Sequence, residues 1–411
     1  MKNRQDEIRK ELKEKLTAGI DYSREISDGE MQEMIDDLLI REGKRQPLSL
    51  SEKEKLRKEL FYAVRKLDVL QELVDDTEIT EIMINGPEHI FIEKKGHLSY
   101  LDQKFESKEK LEDVIQQIVA ACNRVVNEAS PIVDARLENG ARVNVVLSPV
   151  ALNGPIVTIR RFPDKPIMME DLISFGSITE EVCGFLKNLV EARYNIFISG
   201  GTGSGKTTFL NALSNYIPKE ERIITIEDSA ELQILNIPNI VRMETRNANV
   251  EGCREITIRD LIKTSLRMRP DRIIVGEVRG GEAFDMMQCM NTGHDGSMST
   301  GHANTSKDML NRLENMILMG MELPLNAIRQ QIASGIDIII HLGRLRDKSR
   351  KVLEIVEVLG FEDNEIKLKP LFRFEEKGED ENGKVIGTLE KKGELTYVEK
   401  LKSAGIFQEG G

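Results

Sequence analysis

Lys206 and Thr207 follow four glycines in six positions, Gly200, Gly201, Gly203 and Gly205, with Thr202 and Ser204 between them and Thr208 after. Glycines let successive backbone N–H groups converge where a Cβ would block both the backbone angles and the approach. A lysine and a hydroxyl in register with that turn add one positive charge and one ligand for a hard cation. Together these groups would hold a nucleotide's phosphates: Lys206 would bridge the β and γ phosphates, and the Thr207 hydroxyl would ligate magnesium. The apolar run "YNIFIS" (194–199) leads straight into the loop and "TTFLNAL" opens a helix after it. That strand, loop and helix context turns the spacing into a structural expectation, with the helix N-terminus adding its positive dipole end to the same point.

Hydrolysis needs carboxylates, and two stretches supply them. "RIITIEDSAELQI" puts Glu227, Asp228 and Glu231 at the end of a β run, where carboxylates face the phosphate crevice and hold magnesium or orient a water. A second strand, Ile273 to Val275, ends in Gly276 and Glu277. The metal-bridging Asp of a common Walker B strand would stand where Gly276 stands, so Glu277 acts alone or shares the work with Glu227 and Asp228. Which of Glu227 and Glu277 orients the attacking water stays open. His294, between glycines at the start of a strand, is a further candidate, as a sensor of the γ-phosphate. A zinc site from His294, His302 and His341 is not expected, because no cysteine or carboxylate supplies a matching spacing.

The elements that carry these residues follow from apolar periodicity. Strands and helices alternate from residue 194 to 342, which predicts a largely parallel sheet covered by helices. Residues 352–411 return to strands ("LFRF", "LTYVEKL") around the polar loop "EEKGEDENGKVIG". Upstream, "EIMINGPEHIFIEKKG" reads as two strands about Asn85-Gly86-Pro87. Leu111, Val114, Ile118, Cys122 and Val125 fall on one helical stripe, and three more strands are punctuated by Asn139-Gly140 and Asn153-Gly154. The expected organisation is a helical extension over 1–65, either a mobile module that docks on a partner or a solvated extension, then a small α+β domain over 66–162, a linker over 163–179 and an α/β domain over 180–411 with a β-rich tail.

Composition excludes several classes. The chain has 411 residues, 40% of them hydrophobic, which is enough for two domains with real cores. A net charge of −12, 5% aromatics and no tryptophan argue against a broad nucleic-acid surface or base-stacking platforms. No Asn-Lys-x-Asp motif points to a GTPase. Cys122, Cys183, Cys253 and Cys289 are far apart and read as small apolar fillers in a reducing compartment. The N-terminus is charged from its second residue and no apolar run reaches the ~20 residues that span a bilayer. Neither a secretory signal nor an integral membrane segment is expected.

Four boxes in order resemble the secretion and pilus-assembly ATPases of type II and type IV systems, RecA-like P-loop enzymes. "GGTGSGKTT" looks like their Walker A box and "TIEDSAEL" like their aspartate box. "RMRPDRIIVGEVRGGEA" is similar to their atypical Walker B box, and "GHDGSMSTGHAN" to their histidine box. With "EIMINGP", "ENGARVNVVLSP" and "GPIVTIRRF" the likeness extends over the smaller, PAS-like domain, and most resembles the Flp/Tad pilus ATPases of CpaF type.

The resemblance implies ATP and Mg2+ as cofactors and a cytoplasmic homo-hexamer working at the inner face of the cell membrane against platform proteins. It also implies arginines of the smaller domain completing a neighbour's site. Arg142 and Arg160 are favoured, with Arg136 third, Arg161 a surface or ion-pair residue, and Arg242 and Arg246 further candidates. A two-residue turn at Asn139-Gly140 would set Arg136 and Arg142 on opposite faces, and a three-residue turn on the same face. The alternatives are the ATPase of a conjugation-like type IV secretion system, a RecA-like nucleic-acid motor, and a nucleotide-binding regulator without turnover.

Overall fold

The computed structural model describes residues 2–21, 23, 24, 26–94, 97–122, 124–137, 139–161, 165–246 and 254–406. Cys253 and the expected domain boundary at 162–163 lie outside them. The chain forms two compact units, Met1–Asp164 and Lys165–Gly411.

The first unit opens with α1 (Lys2–Ala18), α2 (Asp28–Arg45) and α3 (Leu50–Arg65). Ser27 and Ser49 start α2 and α3 through capping boxes with Glu30 and Glu52, which satisfy the first orphan N–H groups. Ion pairs such as Lys15–Glu11 do run along these helices. The sparse apolar residues, however, recur every three to four positions. Leu12, Leu16, Ile35, Leu39 and Leu60 therefore bury into a core shared by all three helices. The segment is a packed three-helix bundle rather than a solvated extension.

After α4 (Val69–Asp75) come β1 (Ile79–Asn85), β2 (Ile90–Lys94), β3 (His97–Leu101), α5 (Lys108–Ala121), β4 (Ile132–Arg136), β5 (Arg142–Val146) and β6 (Ile156–Arg160). The six strands form an antiparallel sheet in the order β3-β2-β1-β6-β5-β4. Ile82, Ile84, Val143, Val145, Val157 and Ile159 alternate onto the face that α5 covers. The strand β3, exposed along its length, carries little apolar alternation and was not legible as a strand. The helix ends at Ala121, so Val125 leaves the expected stripe and is exposed.

The second unit contains α6 (Met169–Ser174), α7 (Glu180–Glu191), β7 (Ile196–Gly200), α8 (Lys206–Ser214), β8 (Ile223–Glu227), β9 (Ile240–Glu244), α9 (Ile258–Ser265) and β10 (Arg272–Val275). It continues with α10 (Glu282–Asn291), β11 (Met298–His302), α11 (Ser306–Gly320), α12 (Leu325–Gly335), β12 (Ile338–Arg344), β13 (Arg350–Glu362), β14 (Glu365–Glu379), β15 (Val385–Lys391) and α13 (Glu399–Ser403). Nine strands lie in the order β15-β14-β13-β12-β7-β11-β10-β8-β9. The six from β12 to β9 are parallel, and β13 to β15 extend the sheet antiparallel. Alternate strand residues bury on opposite faces: Ile196, Ile198 and Ile340 against α6 to α8, and Phe197, Ile224 and Ile339 against α9 to α12. All six parallel strands therefore end on one edge, the place where such sheets bind ligands.

Three expectations fail in this unit. Met169, Leu172 and Ile178 are buried against α7 and α8, so residues 165–179 belong to the core and are not a free connector. The polar stretch after "LFRF" continues as strand in β14, because its charges pair across the hairpins: Lys392 with Glu375, and Arg346 with Glu376. "LTYVEKL" is a loop running into α13; the Thr396 and Tyr397 amides donate to the buried carboxylate of Glu357. Cys183 and Cys289 fill apolar cores, whereas Cys122 is half-buried.

Candidate nucleotide site

The buried strand β7 delivers the chain to Gly200 at the carboxyl edge. A Cβ there would come 2.5 Å from the Leu342 carbonyl and 2.6 Å from Ser204 Oγ, so only glycine lets the loop close against β12. Gly203 and Gly205 have φ of 71° and 93°, and Gly205 caps α8 in the left-handed conformation. Ser204 Oγ donates to the Gly201 carbonyl at 2.8 Å and draws the turn in. Gly201, Thr202 and Gly203 stay exposed, while Thr207 and Thr208 sit half-buried on the first turn of α8. This is a glycine-rich turn of backbone amides at a helix N-terminus, the kind of place that favours anions.

Lys206 is buried, and its Nζ donates to the Gly201 carbonyl at 3.1 Å and to His302 Nδ1 at 3.2 Å. An ammonium group only donates, so Nδ1 accepts and the imidazole proton sits on Nε2. His302 Nε2 comes 2.9 Å from Glu277 Oε1, a close approach without hydrogen-bond alignment that leaves this buried oxygen unsatisfied. Glu277 Oε2 takes a 2.9 Å bond from Arg279 Nη2, and Arg279 lies 3.8 Å from Asp228. Burial pushes both Lys206 and His302 below their ordinary values, while the Glu277 charge opposes the shift in each. The chain from Lys206 through His302 to Glu277 spans the ends of the neighbouring strands β11 and β10.

Glu227 ends β8, one strand further along, and is buried. Its Oε1 accepts from the Glu231 and Leu232 amides at 2.9 and 3.0 Å, while Oε2 is buried without a partner. Burial raises its carboxyl to about 7, against the lowering effect of those two amide bonds. Among the described residues no three His, Cys, Asp or Glu side chains converge as a metal cage. A Mg2+ ion carried on phosphates does not require one; it keeps several waters and takes one or two protein oxygens. The Thr207 hydroxyl and the unsatisfied oxygens of Glu277 and Glu227 fit that requirement.

His294 is in the wrong place for the role expected of it. It precedes β11, whose partner β7 runs parallel, and Gly296 N donates to Asn195, which precedes β7. His294 is thus at the amino edge of the sheet, across the strand length from the loop. The histidine at the glycine loop is His302, at the far end of the same strand. Its signal was weaker than those of Glu227 and Glu277: it stands at the carboxyl end of a parallel strand, but that strand, Met-Ser-Thr-Gly-His, is not an apolar run. His341 is buried beside the loop strand instead, its Nδ1 2.7 Å from Ser199 Oγ.

In the first unit Arg136 pairs directly with Arg142, and Arg142 with Arg160. Leu137 N donates to the Ala141 carbonyl, so the turn is the three-residue kind and all three arginines share the face of the sheet that α5 leaves uncovered. Arg161 diverges from them, donating to the Val74 and Asp76 carbonyls. In the second unit Arg242 donates to the Leu232 carbonyl and Arg246 to that of Arg254, each engaged with a neighbouring loop.

Residues 64–385 match the family model described as type II/IV secretion system protein. Conjugal transfer protein TrbB of Rhizobium radiobacter is 33% identical over 321 residues, 76% of this chain and 95% of that protein. A putative conjugal transfer protein of Mycobacterium tuberculosis is 33% identical over 70% of this chain and 83% of its own length. The type IV secretion system protein VirB11 of Brucella suis is 31% identical over 67% and 84%. Among solved structures, the Yersinia pseudotuberculosis ATPase DotB matches with a TM-score of 0.52 at 19% identity, over 71% of this chain and 78% of that one. The pilus retraction motor PilT with bound ADP matches at 0.51 and 19%, over 74% and 81%. These two likenesses establish a shared fold. The chain belongs to the type II/IV secretion system family of ATPases.

Proposed function

We propose that this chain is a Mg2+-dependent, RecA-like ATPase whose hexamer powers a type II or type IV secretion or pilus machine. The observation that carries the reading is the line from Lys206 through His302 to Glu277, which places a cation, an imidazole and a carboxylate at the mouth of a glycine nest. In this reading the amides of the loop from Gly200 to Gly205 and Lys206 cradle the triphosphate, and Thr207 ligates Mg2+ with Glu227, Asp228 or Glu277 near it. Glu277 orients the attacking water, since its unsatisfied oxygen stands beside His302. Glu227, tied to two backbone amides and carrying a raised pKa, shapes the metal's surroundings. His302 relays the state of the γ-phosphate between Lys206 and Glu277.

Arg142, Arg160 and Arg136 form a row of like charges on one sheet face and are the trans arginines in this reading; an anion held by a neighbouring subunit would relieve their repulsion. A peripheral position under inner-membrane platform proteins follows from the family resemblance. Among the described residues no helix is long and apolar enough to cross a membrane. The box pattern supports a Flp/Tad pilus of CpaF type, and the names of the relatives favour a conjugation-like type IV system slightly. Neighbouring genes for a prepilin and its peptidase, rather than a relaxase and channel proteins, would select the pilus. Phosphate release by the purified protein tests the ATPase: Lys206→Ala should abolish it with the fold intact, and unchanged turnover would refute the assignment.

A further inference from the structure

The glycine loop has a second cationic neighbour. Arg350 opens β13 directly across from Arg344 in the β12–β13 hairpin. Its Nε donates to the carbonyl of Gly203 at 2.9 Å, and its Cδ lies 3.4 Å from where a Cβ on Gly205 would stand. The guanidinium is therefore fixed on the flank of the nest, at the amino end of α8, on the helix that begins with Lys206. A positive side chain there meets the positive end of the helix dipole and a second cation, which costs energy unless an anion is present.

Among the described residues no protein anion supplies the balance. Among the described residues Arg350 forms no ion pair, whereas other arginines of this sheet extension do: Arg346 with Glu376 and Arg373 with Glu354. The side chain is exposed, and of its five donors one is used. Its backbone is held in place. Asp347 at the hairpin tip accepts from the amides of Ser349 and Val385, and Lys351, next to Arg350, reaches the Gly176 carbonyl. An anchored cation beside a nest of amide donors lacks only its anion.

We propose that Arg350 is a phosphate-binding residue of the nucleotide site, supplied by the same chain. Its Nε holds the loop through Gly203 and its Nη groups take the nucleotide's polyphosphate. It is thus separate from the arginines of the first unit, which in the reading above serve a neighbour. The proposal rests on the loop being an ATP site.

The test uses the full chain with Mg2+ and measures binding of ATP, inorganic tripolyphosphate and adenosine by calorimetry, together with kcat and KM for ATP. Arg350→Ala and Arg350→Gln should each weaken ATP and tripolyphosphate about tenfold, the loss of one charge-assisted contact. Arg350→Lys should recover part of that loss, adenosine should be unaffected, and KM should rise more than kcat falls. Wild-type affinity in Arg350→Gln would overturn the proposal, since a neutral donor to Gly203 would then suffice. Wild-type affinity in all three variants would overturn it too, with the ATP site left standing. A wild-type protein that binds neither ATP nor tripolyphosphate would instead overturn the ATP-site reading, and this proposal with it.

Discussion

A Cβ on Gly276 would stand 3.0 Å from Cγ of Glu227. The position where a common Walker B strand carries its Asp is empty because the adjacent strand's glutamate leans across it. Gly276→Ala should therefore push Glu227 aside by a few tenths of an ångström without unfolding the sheet. Turnover should fall about tenfold with KM for ATP little changed, since small misplacements near a reacting centre cost rate more than binding. Steady-state kinetics alongside Glu227→Gln and Glu277→Gln checks this. The variant that removes the water-orienting group should lose about 10²–10⁴ in kcat while still binding nucleotide, and Glu277→Gln is expected to be that variant.

Glu227 also sets a pH dependence. Burial penalises the charged form and pushes its carboxyl up to about 7 in the folded chain, against an ordinary value of 4.5. Between those values the native state holds a proton that the unfolded chain has released, so stability falls as pH rises across that window. In metal-free, nucleotide-free buffer, Glu227→Gln should match the wild type below pH ~4.5 and exceed it by up to about 3 kcal/mol at pH 8. Denaturant titrations at the two pH values measure it. An equal difference at both would show that the carboxyl is not perturbed.

The arginine row predicts a trade of stability against turnover. Like charges directly opposite each other on a sheet are unfavourable by ~0.2–1 kcal/mol per pair. Arg142→Thr should raise the unfolding midpoint of the first unit while abolishing turnover. Mixing inactive Arg142→Thr and Lys206→Ala chains should restore activity at about a quarter of the sites, by random neighbours in a ring. Mixtures as inactive as their parents would show that the arginines do not act between subunits.

The sequence carried the parallel sheet and the loop because most strands there, such as β7, β8, β10 and β12, are short apolar runs between turn signals. Glu227, Glu277 and Lys206 were legible for the same reason: they stand at strand and helix ends whose direction the pattern gives. Three things depended on pairings between distant residues. The bundle of α1 to α3 has few apolar positions, and only their convergence makes a core. The face shared by Arg136, Arg142 and Arg160 turned on one residue of hairpin length. Arg350 lies 147 positions from the Gly203 carbonyl that it holds, and no local pattern connects them.

The misread glycines around His294 have a structural cause that can be tested. Arg272, fully buried at the start of β10, donates to both oxygens of Glu221 at 2.5 and 2.8 Å and to the Val190 carbonyl at 2.7 Å. A Cβ on Gly296, two residues after His294, would stand 2.6 Å from Arg272 Nη1, and Gly296 has φ of 83°. The glycine therefore makes room for a buried ion pair and does not mark a ligand site. Because β10 runs from Arg272 toward Glu277, this pair anchors at one edge the strand whose other edge carries the carboxylate. Glu221→Ala leaves a buried guanidinium uncompensated and should cost about 3–5 kcal/mol, whereas the double replacement Glu221→Leu with Arg272→Met should cost far less. Denaturant unfolding of the wild type and the two variants checks this, and a double variant as unstable as the single would show that the pair is more than a replaceable anchor.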